Sequence, residues 1–447
     1  MRIWLVTLLT AASLMFSPFS QAEETPENLI LIIGDGMGMP YLSAYRYFKD
    51  GRAHTDVADV ERTLFDRYFV GTASTYPADD TWVTDSAAGA TALATGIKTY
   101  NGAISVDADH KPLTTMMEIA KDNGYLAATV ATTRLTHATP AGFFTHVPSR
   151  RMEHDIARQF ATPNTKGEYV FDLIVGSGSN KFRFTNDDGE HVDYLSDMQA
   201  GGVNVVESFA ELTQQRQLPV AAFMHENNFP YVIDDKPRLA QMVQESLRLL
   251  ATQDKPYVLM IEASMIDWCG HGNDIACAMH EMKELELALA FLADYVDERG
   301  DTALVLTADH STGGLTLGAD GQYQWRAAKV NRINRSLRSI ATELADMPLV
   351  DWQDFISQHI PFPLSTEQQS QLNTVAALTS SDKWREINKI LVDIVRFHTG
   401  SGFTTGGHTG EDVPVIAIGP WASHFQGQQD HTDIAKQYID WIKKAHN

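Results

Sequence analysis

Acidic, imidazole and hydroxyl side chains recur along this chain beside short glycine-rich turns. Asp35 lies in Gly34-Asp35-Gly36-Met37-Gly38, and His137 and Thr139 lie in His137-Ala138-Thr139-Pro140. Glu262, Asp267 and His271 follow one another closely, Asp309 and His310 are adjacent, and His408 sits in Gly406-Gly407-His408-Thr409-Gly410. Each group alone is weak, because a Gly-Asp-Gly or an Asp-His pair is more often a turn or a helix cap. Together they form the donor set of metal chemistry. Imidazoles with carboxylates suit four-coordinate zinc. A threonine hydroxyl beside two carboxylates suits octahedral magnesium.

The nucleophile candidate is Ser86, in Thr84-Asp85-Ser86-Ala87-Ala88-Gly89. The small residues after it favour a helix, which Gly96 would stop. Ser86 then stands at a helix N-terminus, where free N–H groups favour an anion. A plain capping serine is the alternative, and the commoner one. No histidine base is adjacent in sequence, so coordination to a metal would have to activate the hydroxyl.

These residues need a frame that brings distant positions together. Five apolar, β-branched runs, at 29–33, 126–133, 257–261, 303–307 and 413–418, read as strands buried on both faces. Helical periodicity is clear at 239–250 and 279–296. The expectation is an α/β fold with a large, mainly parallel central sheet and helices on both faces. Ligands bind such sheets at the carboxyl ends of the strands. Asp35, His137, Glu262 and Asp309 each come at or just past a strand end, and His408 precedes the final run. Two stretches read as insertions in a single domain spanning 23–447: about 151–225, polar and mixed, and about 316–403, rich in helix. In the second, Arg326, Lys329, Arg332, Arg335 and Arg338 recur at the spacing of one helix face. Such a face can be solvated and paired with acids, or it can steer phosphate.

The 447 residues carry 35 Lys+Arg against 57 Asp+Glu, a formal charge of -22. That balance argues against nucleic acid as a specific partner and against anionic membrane. An anionic substrate would have to be drawn in locally, by metal ions or a few cations. Residues 1–22 read as a secretory signal peptide, with Arg2 before an apolar stretch and Ser20-Gln21-Ala22 at the cleavage site. The expectation is a periplasmic or secreted protein with no membrane anchor. The only cysteines, Cys269 and Cys277, could form a disulfide in that compartment or stand as two thiols.

The motifs taken together resemble the alkaline phosphatase family, from about residue 28 to about residue 442. They run, in the family's order, from Ile32-Ile33-Gly34-Asp35-Gly36-Met37-Gly38 and Thr84-Asp85-Ser86-Ala87-Ala88 through Thr132-Thr133-Arg134, His137-Ala138-Thr139-Pro140 and His146-Val147-Pro148-Ser149-Arg150. Glu262-Ala263-Ser264-Met265-Ile266-Asp267, Thr307-Ala308-Asp309-His310 and His408-Thr409-Gly410-Glu411-Asp412-Val413-Pro414 complete the set. The resemblance implies metal-dependent hydrolysis of phosphate monoesters, with two zinc ions and one magnesium ion. Asp267, His271 and His408 would hold one zinc. Asp35, Asp309, His310 and the oxygen of Ser86 would hold the second. Asp35, Thr139 and Glu262 would hold the magnesium. Arg150 would clamp phosphate while Ser86 forms a phosphoseryl intermediate, and a homodimer is implied. His137, at the third site, stands where the best-known bacterial pattern has Asp, and Trp268 stands where it has Lys, so a carboxylate and a cationic contact to phosphate are missing. The competing readings are a phosphodiesterase or nucleotide pyrophosphatase of the same superfamily, which would more often carry Thr and lack Arg150, and an exported phosphate- or metal-binding protein without turnover.

Overall fold

Asn28–Gly34 forms strand β1, and every residue of it is buried. An apolar run without polar alternation has no face to offer water, so it belongs in the middle of a covered parallel sheet. The structure is a computed structural model that describes residues 25–51 and 60–444. The expected signal peptide, 1–22, lies outside the described residues.

Nine more strands join β1: β2 (Phe69–Ser74), β3 (Leu126–Arg134), β4 (Leu173–Ser177), β5 (Asn204–Val206), β6 (Val220–Phe223), β7 (Tyr257–Ala263), β8 (Thr302–Thr307), β9 (Val413–Ile418) and β10 (Gly427–Asp430). Their order across the sheet is β10-β2-β9-β8-β1-β7-β3-β4-β6-β5. The five strands expected from sequence are five consecutive central neighbours, β9-β8-β1-β7-β3. All pairings are parallel except those of β9, which runs antiparallel to β8 and to β2. Helices pack in two groups that cover the sheet. Ser86–Thr95, Ala138–Phe144 and His431–Lys444 belong to one, and Met39–Asp50, Leu239–Ala251 and Ile275–Arg299 to the other. No helix among the described residues is long and apolar enough to cross a membrane.

Register sets the height of the chemistry. Ile33 pairs with Thr307 of β8 on one side and with Glu262 of β7 on the other. Asp35 and Asp309, each two residues beyond that pair, therefore leave the sheet at the same level. Glu262 also pairs with Ala131 of β3, whose chain runs on to His137 and Thr139. The reversal of β9 explains His408. Because β9 begins at the carboxyl edge of its neighbours, a residue just before it arrives where the others end. Thr307 marks that meeting, donating its hydroxyl to the carbonyl of Pro414 at 2.9 Å.

Two expectations need correction. The stretch 151–225 is not an insertion, since it supplies β4, β5 and β6. It reads as polar because its strands are short and separated by exposed turns and helices. The arginine series does not share a helix face. Ala327–Val330 is a four-residue helix, and a new helix, Leu337–Asp346, begins only after a break. Arg335 pairs with Glu343 across that second helix, and Arg338 lies in its first turn.

The region 316–403 carries Leu337–Asp346, Leu349–His359, Thr366–Ala376 and Lys383–Thr399, closed at its base by the antiparallel pair Leu315–Leu317 and Ser401–Phe403. Two acids dock it, the buried Asp274 and the half-buried Asp234. Asp274 Oδ2 accepts the N–H of Leu337 at 2.6 Å while its Oδ1 caps helix Ile275–Arg299 through the N–H of Cys277 at 3.1 Å. Asp234 accepts the N–H of Ser336 at 2.9 Å and the hydroxyls of Ser336 and Ser339 at 2.6 Å each. Asp274→Ala loses a cap and leaves a buried N–H unsatisfied. It is expected to destabilise the fold by about 2–4 kcal/mol, read as a lowered midpoint in chemical denaturation. A shift below about 0.5 kcal/mol would mean that this helical region is docked by other contacts.

Candidate active site and metal centre

Ser86 is the first residue of helix Ser86–Thr95, and Asp85 caps it, accepting the N–H of Ala88 at 3.0 Å. The plain-cap reading of Ser86 is thereby removed, and its hydroxyl is not spent on the helix N-terminus. Ser86 Oγ lies 3.1 Å from His310 Nε2. The other oxygen of Asp85 accepts Arg150 Nη1 at 3.0 Å. One carboxylate thus ties the helix of the nucleophile candidate to the arginine. Arg150 Nη2 donates to His137 Nε2 at 3.1 Å.

Three groups of ligand atoms converge here, each within 4.8 Å: Asp267 with His271 and His408, Asp35 with Asp309 and His310, and Asp35 with His137 and Glu262. Asp267 and His271 are four apart on helix Met265–His271, which puts them on one face. Asp35 sits in a turn where Gly36 has φ +75° and where a Cβ would meet the Asp267 backbone at 2.7 Å. Only glycine lets this turn touch the helix that carries Asp267. Thr139 is buried in the second position of helix Ala138–Phe144, beside the third group.

Hydrogen bonds behind the ligands decide which ring nitrogens face inward. His271 Nδ1 meets the carbonyl of Gly406 at 2.6 Å, and His408 Nδ1 meets that of Thr84 at 2.9 Å. A carbonyl only accepts, so both Nδ1 atoms carry protons and both Nε2 atoms present lone pairs. Those two Nε2 atoms are 3.2 Å apart, an arrangement that asks for a cation between them. Thr312 acts likewise on the second group. Its hydroxyl donates to Asp267 Oδ1 at 2.5 Å, so it accepts from His310 Nδ1 at 3.2 Å. The lone pair on His310 Nε2 then faces Asp309 Oδ2 at 3.2 Å and Asp35 Oδ1 at 3.6 Å.

All eleven residues singled out from sequence thus come together. Ser86, His137, Arg150, Asp267, His271 and His408 line one cavity of about 220 Å³. A larger cavity, of about 880 Å³ beside Gln353 and Phe362, has no titratable side chain on its wall.

The chain matches the family described as alkaline phosphatase over residues 26–444. Alkaline phosphatase 3 of Bacillus subtilis is 38% identical over 92% of this chain and 87% of its own length. The repressible alkaline phosphatase of Saccharomyces cerevisiae is 31% identical, over 93% and 81%. The crystal structure of a cold-active alkaline phosphatase from the psychrophile Shewanella sp. has a TM-score of 0.82 at 40% identity, covering 93% of this chain and 99% of that one. The chain belongs to the alkaline phosphatase family. It is an enzyme that hydrolyses phosphate monoesters, in a family that works with divalent metal ions.

The electrostatics of this phosphatase suit such ions. Burial, then the neighbouring acids Asp309, Asp267 and Glu262, push Asp35 well above the usual carboxylate range. Burial first, with Asp309 adding to it, pushes Glu262 up to about 8. Burial and then Asp267 push Asp309 up to about 7. His310 and His137 are driven well below the ordinary histidine value, chiefly by burial, and so stay neutral, the form that ligates metals. Asp35 Oδ1 and Oδ2, Glu262 Oε1 and Oε2, Asp309 Oδ2, Thr139 Oγ1 and His137 Nδ1 are buried and make no hydrogen bond. Orphaned atoms of this kind, all pointing into one space, fit cations.

Cys269 and Cys277 are joined in a disulfide with Cα atoms 5.5 Å apart, settling the alternative that spacing left open. It ties helix Met265–His271, with two ligand candidates, to the long helix Ile275–Arg299. Sequence reasoning gave no role to Asp85 or Thr312. Asp85 was detectable as a cap residue before a small-residue helix. Nothing local marks Thr312.

Removing metals tests this cluster. Without cations, Glu262 and Asp309 keep protons in the fold that the unfolded chain releases near its ordinary carboxylate values. The native state therefore binds more protons, and stability falls as pH rises. Thermal melts of chelated protein are expected to drop by several degrees from about pH 5 to about pH 8, while metal-replete protein changes little. A flat profile without metal would contradict the clustering of these acids.

Proposed function

We propose that this phosphatase acts through a phosphoseryl intermediate on Ser86, with two zinc ions and one magnesium ion. Asp267, His271 and His408 would hold one zinc, and Asp35, Asp309 and His310 the other. Asp35, Glu262 and Thr139 would hold the magnesium, beside His137. The support is the donor chemistry: imidazole lone pairs with carboxylates in two groups, carboxylates with a hydroxyl in the third. When bound, the ions supply positive charge that lowers the pKa of a hydroxyl or of water and stabilises the entering and leaving oxygens.

The residues of the chain do the rest. Ser86 Oγ attacks phosphorus in line, the bond to the ester oxygen breaks, and the alcohol departs. Water then cleaves the new Ser86–phosphate bond and releases inorganic phosphate. The single observation that carries this reading is the uncapped Ser86 hydroxyl, bonded to His310 Nε2 at 3.1 Å, in one small cavity with Arg150. Arg150, held at Nη1 by Asp85, offers its remaining N–H groups to two phosphate oxygens. For Nδ1 of His137 to serve an ion, its Nε2 must carry the proton, so Arg150 must turn from His137 to the substrate. A monoester keeps a third non-bridging oxygen beyond the two that such a fork takes, free to meet the cations, whereas a diester has none to spare, which favours the monoester reading.

The test compares an aryl phosphate monoester with its diester on metal-replete protein at alkaline pH. The monoester is expected to be strongly preferred. Ser86→Ala is expected to lose at least about a thousandfold in kcat, and Arg150→Ala about ten- to a hundredfold in kcat/KM. Chelation is expected to abolish turnover. A diester preference would give the site to the phosphodiesterase reading. Phosphate binding with no turnover of either ester would give it to the binding protein.

Export to the periplasm or medium is part of the proposal, supported by the pattern of residues 1–22 and by a disulfide that suits an oxidising compartment. A mature N-terminus just after Ala22 is the expected finding in exported protein. A homodimer is proposed on the family resemblance alone.

A further inference from the structure

Two cavities meet at the site. The smaller one, of about 220 Å³, holds Ser86 and Arg150, and its neighbour, of about 520 Å³, extends along Phe229. Tyr231, Trp268 and Arg338 line both. Arg150 and Arg338 are the two arginines on the smaller cavity's wall. They come from opposite ends of the chain's architecture, Arg150 from the loop before the helix at 153–161 and Arg338 from the helical region 316–403.

The setting of Arg338 is electrostatically unusual. It occupies the first turn of helix Leu337–Asp346, where the helix dipole disfavours a cation. Among the described residues no carboxylate lies within ion-pair distance of it, although Arg335 pairs with Glu343 and Arg385 with Asp382 close by. Its guanidinium instead lies 4.9 Å over the ring of Trp384, which orients it without neutralising it. Burial lifts the Tyr231 phenol up to about 12, and the charge of Arg338 is the strongest influence opposing that rise. The helix itself is fixed, because Asp234 and Asp274 bind its first turn through Ser336, Ser339 and Leu337. Tyr231 shares a hydrogen bond with Arg338, which is thus an oriented cation with no carboxylate partner among the described residues, on the cavity of the nucleophile in a chain of net charge -22.

We propose that Arg338 is a second guanidinium contacting the phosphate group of the substrate and of the product, across the cavity from Ser86. It replaces, from a different element, the cation that Trp268 does not provide. The assignment rests on the reading of Ser86 and Arg150 as the phosphate site. Ser86, Arg150 and Arg338 line the same cavity of about 220 Å³, so a phosphate bound at Ser86 shares that space with both guanidinium groups.

The experiment measures inorganic phosphate binding by calorimetry on metal-replete Ser86→Ala protein, alone and combined with Arg338→Ala, Arg338→Lys or Arg335→Ala. Inhibition by phosphate is measured in parallel with Ser86 intact. Arg338→Ala is expected to weaken phosphate about tenfold, Arg338→Lys less, since it keeps the charge but not the fork. Arg335→Ala is expected to stay within about twofold, and melting temperatures are expected to be unchanged. Phosphate binding unaltered by Arg338→Ala overturns the assignment. So does equal weakening by Arg338→Ala and Arg335→Ala with lowered melting temperatures, which would make the effect structural. If Ser86→Ala with Arg338 intact still turns over substrate, or binds no phosphate at all, the reading of the whole site fails instead.

Discussion

Asp35, Glu262, Asp267 and Asp309 are four buried acids within one site, and charges of one sign cannot crowd together out of water unless cations lie among them. Much of the surrounding structure answers that constraint. Asp35 and Asp309 leave the sheet at one level, two residues beyond the row that holds Glu262, because the strands are in register. The histidines among them are kept neutral by burial. A fold that sought stability alone would place apolar side chains here. This one holds a cluster that is costly when empty and favourable when divalent ions fill it.

The sheet supplies the needed convergence cheaply. Strands lie about 4.8 Å apart, so the ends of five neighbours fall within roughly 20 Å however far apart they are in sequence. Four of those strands point their carboxyl ends at the site. The fifth, β9, reaches it by running backwards, so the chain just before it delivers His408. A parallel β9 would put His408 at the opposite edge of the sheet.

Around the ligand candidates stands a shell whose work is orientation. Thr312, Asp85 and the carbonyls of Gly406 and Thr84 touch these candidates or Arg150 and fix tautomers and rotamers. The helical region 316–403 belongs to the same logic. Asp274 and Asp234 lock the first turn of helix Leu337–Asp346 against the body of the protein, and Arg338 of that turn lines the cavity. A peripheral helix thereby becomes a wall of the site.

The five central strands were legible in the sequence because burial on both faces demands unbroken apolar runs, as 29–33 and 257–261 show. The ligand candidates were legible because chemistry restricts residue type: only acids, imidazoles and a few hydroxyls bind such ions. The outer strands β2, β4, β5, β6 and β10, and with them the place of 151–225 in the sheet, are not legible in the sequence, because short strands among exposed segments carry no strong period. The arginine series at 326–338 mimicked one helix face, since spacing cannot reveal that a helix breaks between Val330 and Leu337. Likewise the eight-residue separation of Cys269 and Cys277 was silent about bridging until the geometry was known. Residue type and local period are properties of the chain alone, so the donors and the central frame could be read from it. The reversal of β9, the bond from Thr312 to Asp267 and the approach of Arg338 depend on distances between segments far apart in sequence, and only the packed tertiary structure decides those.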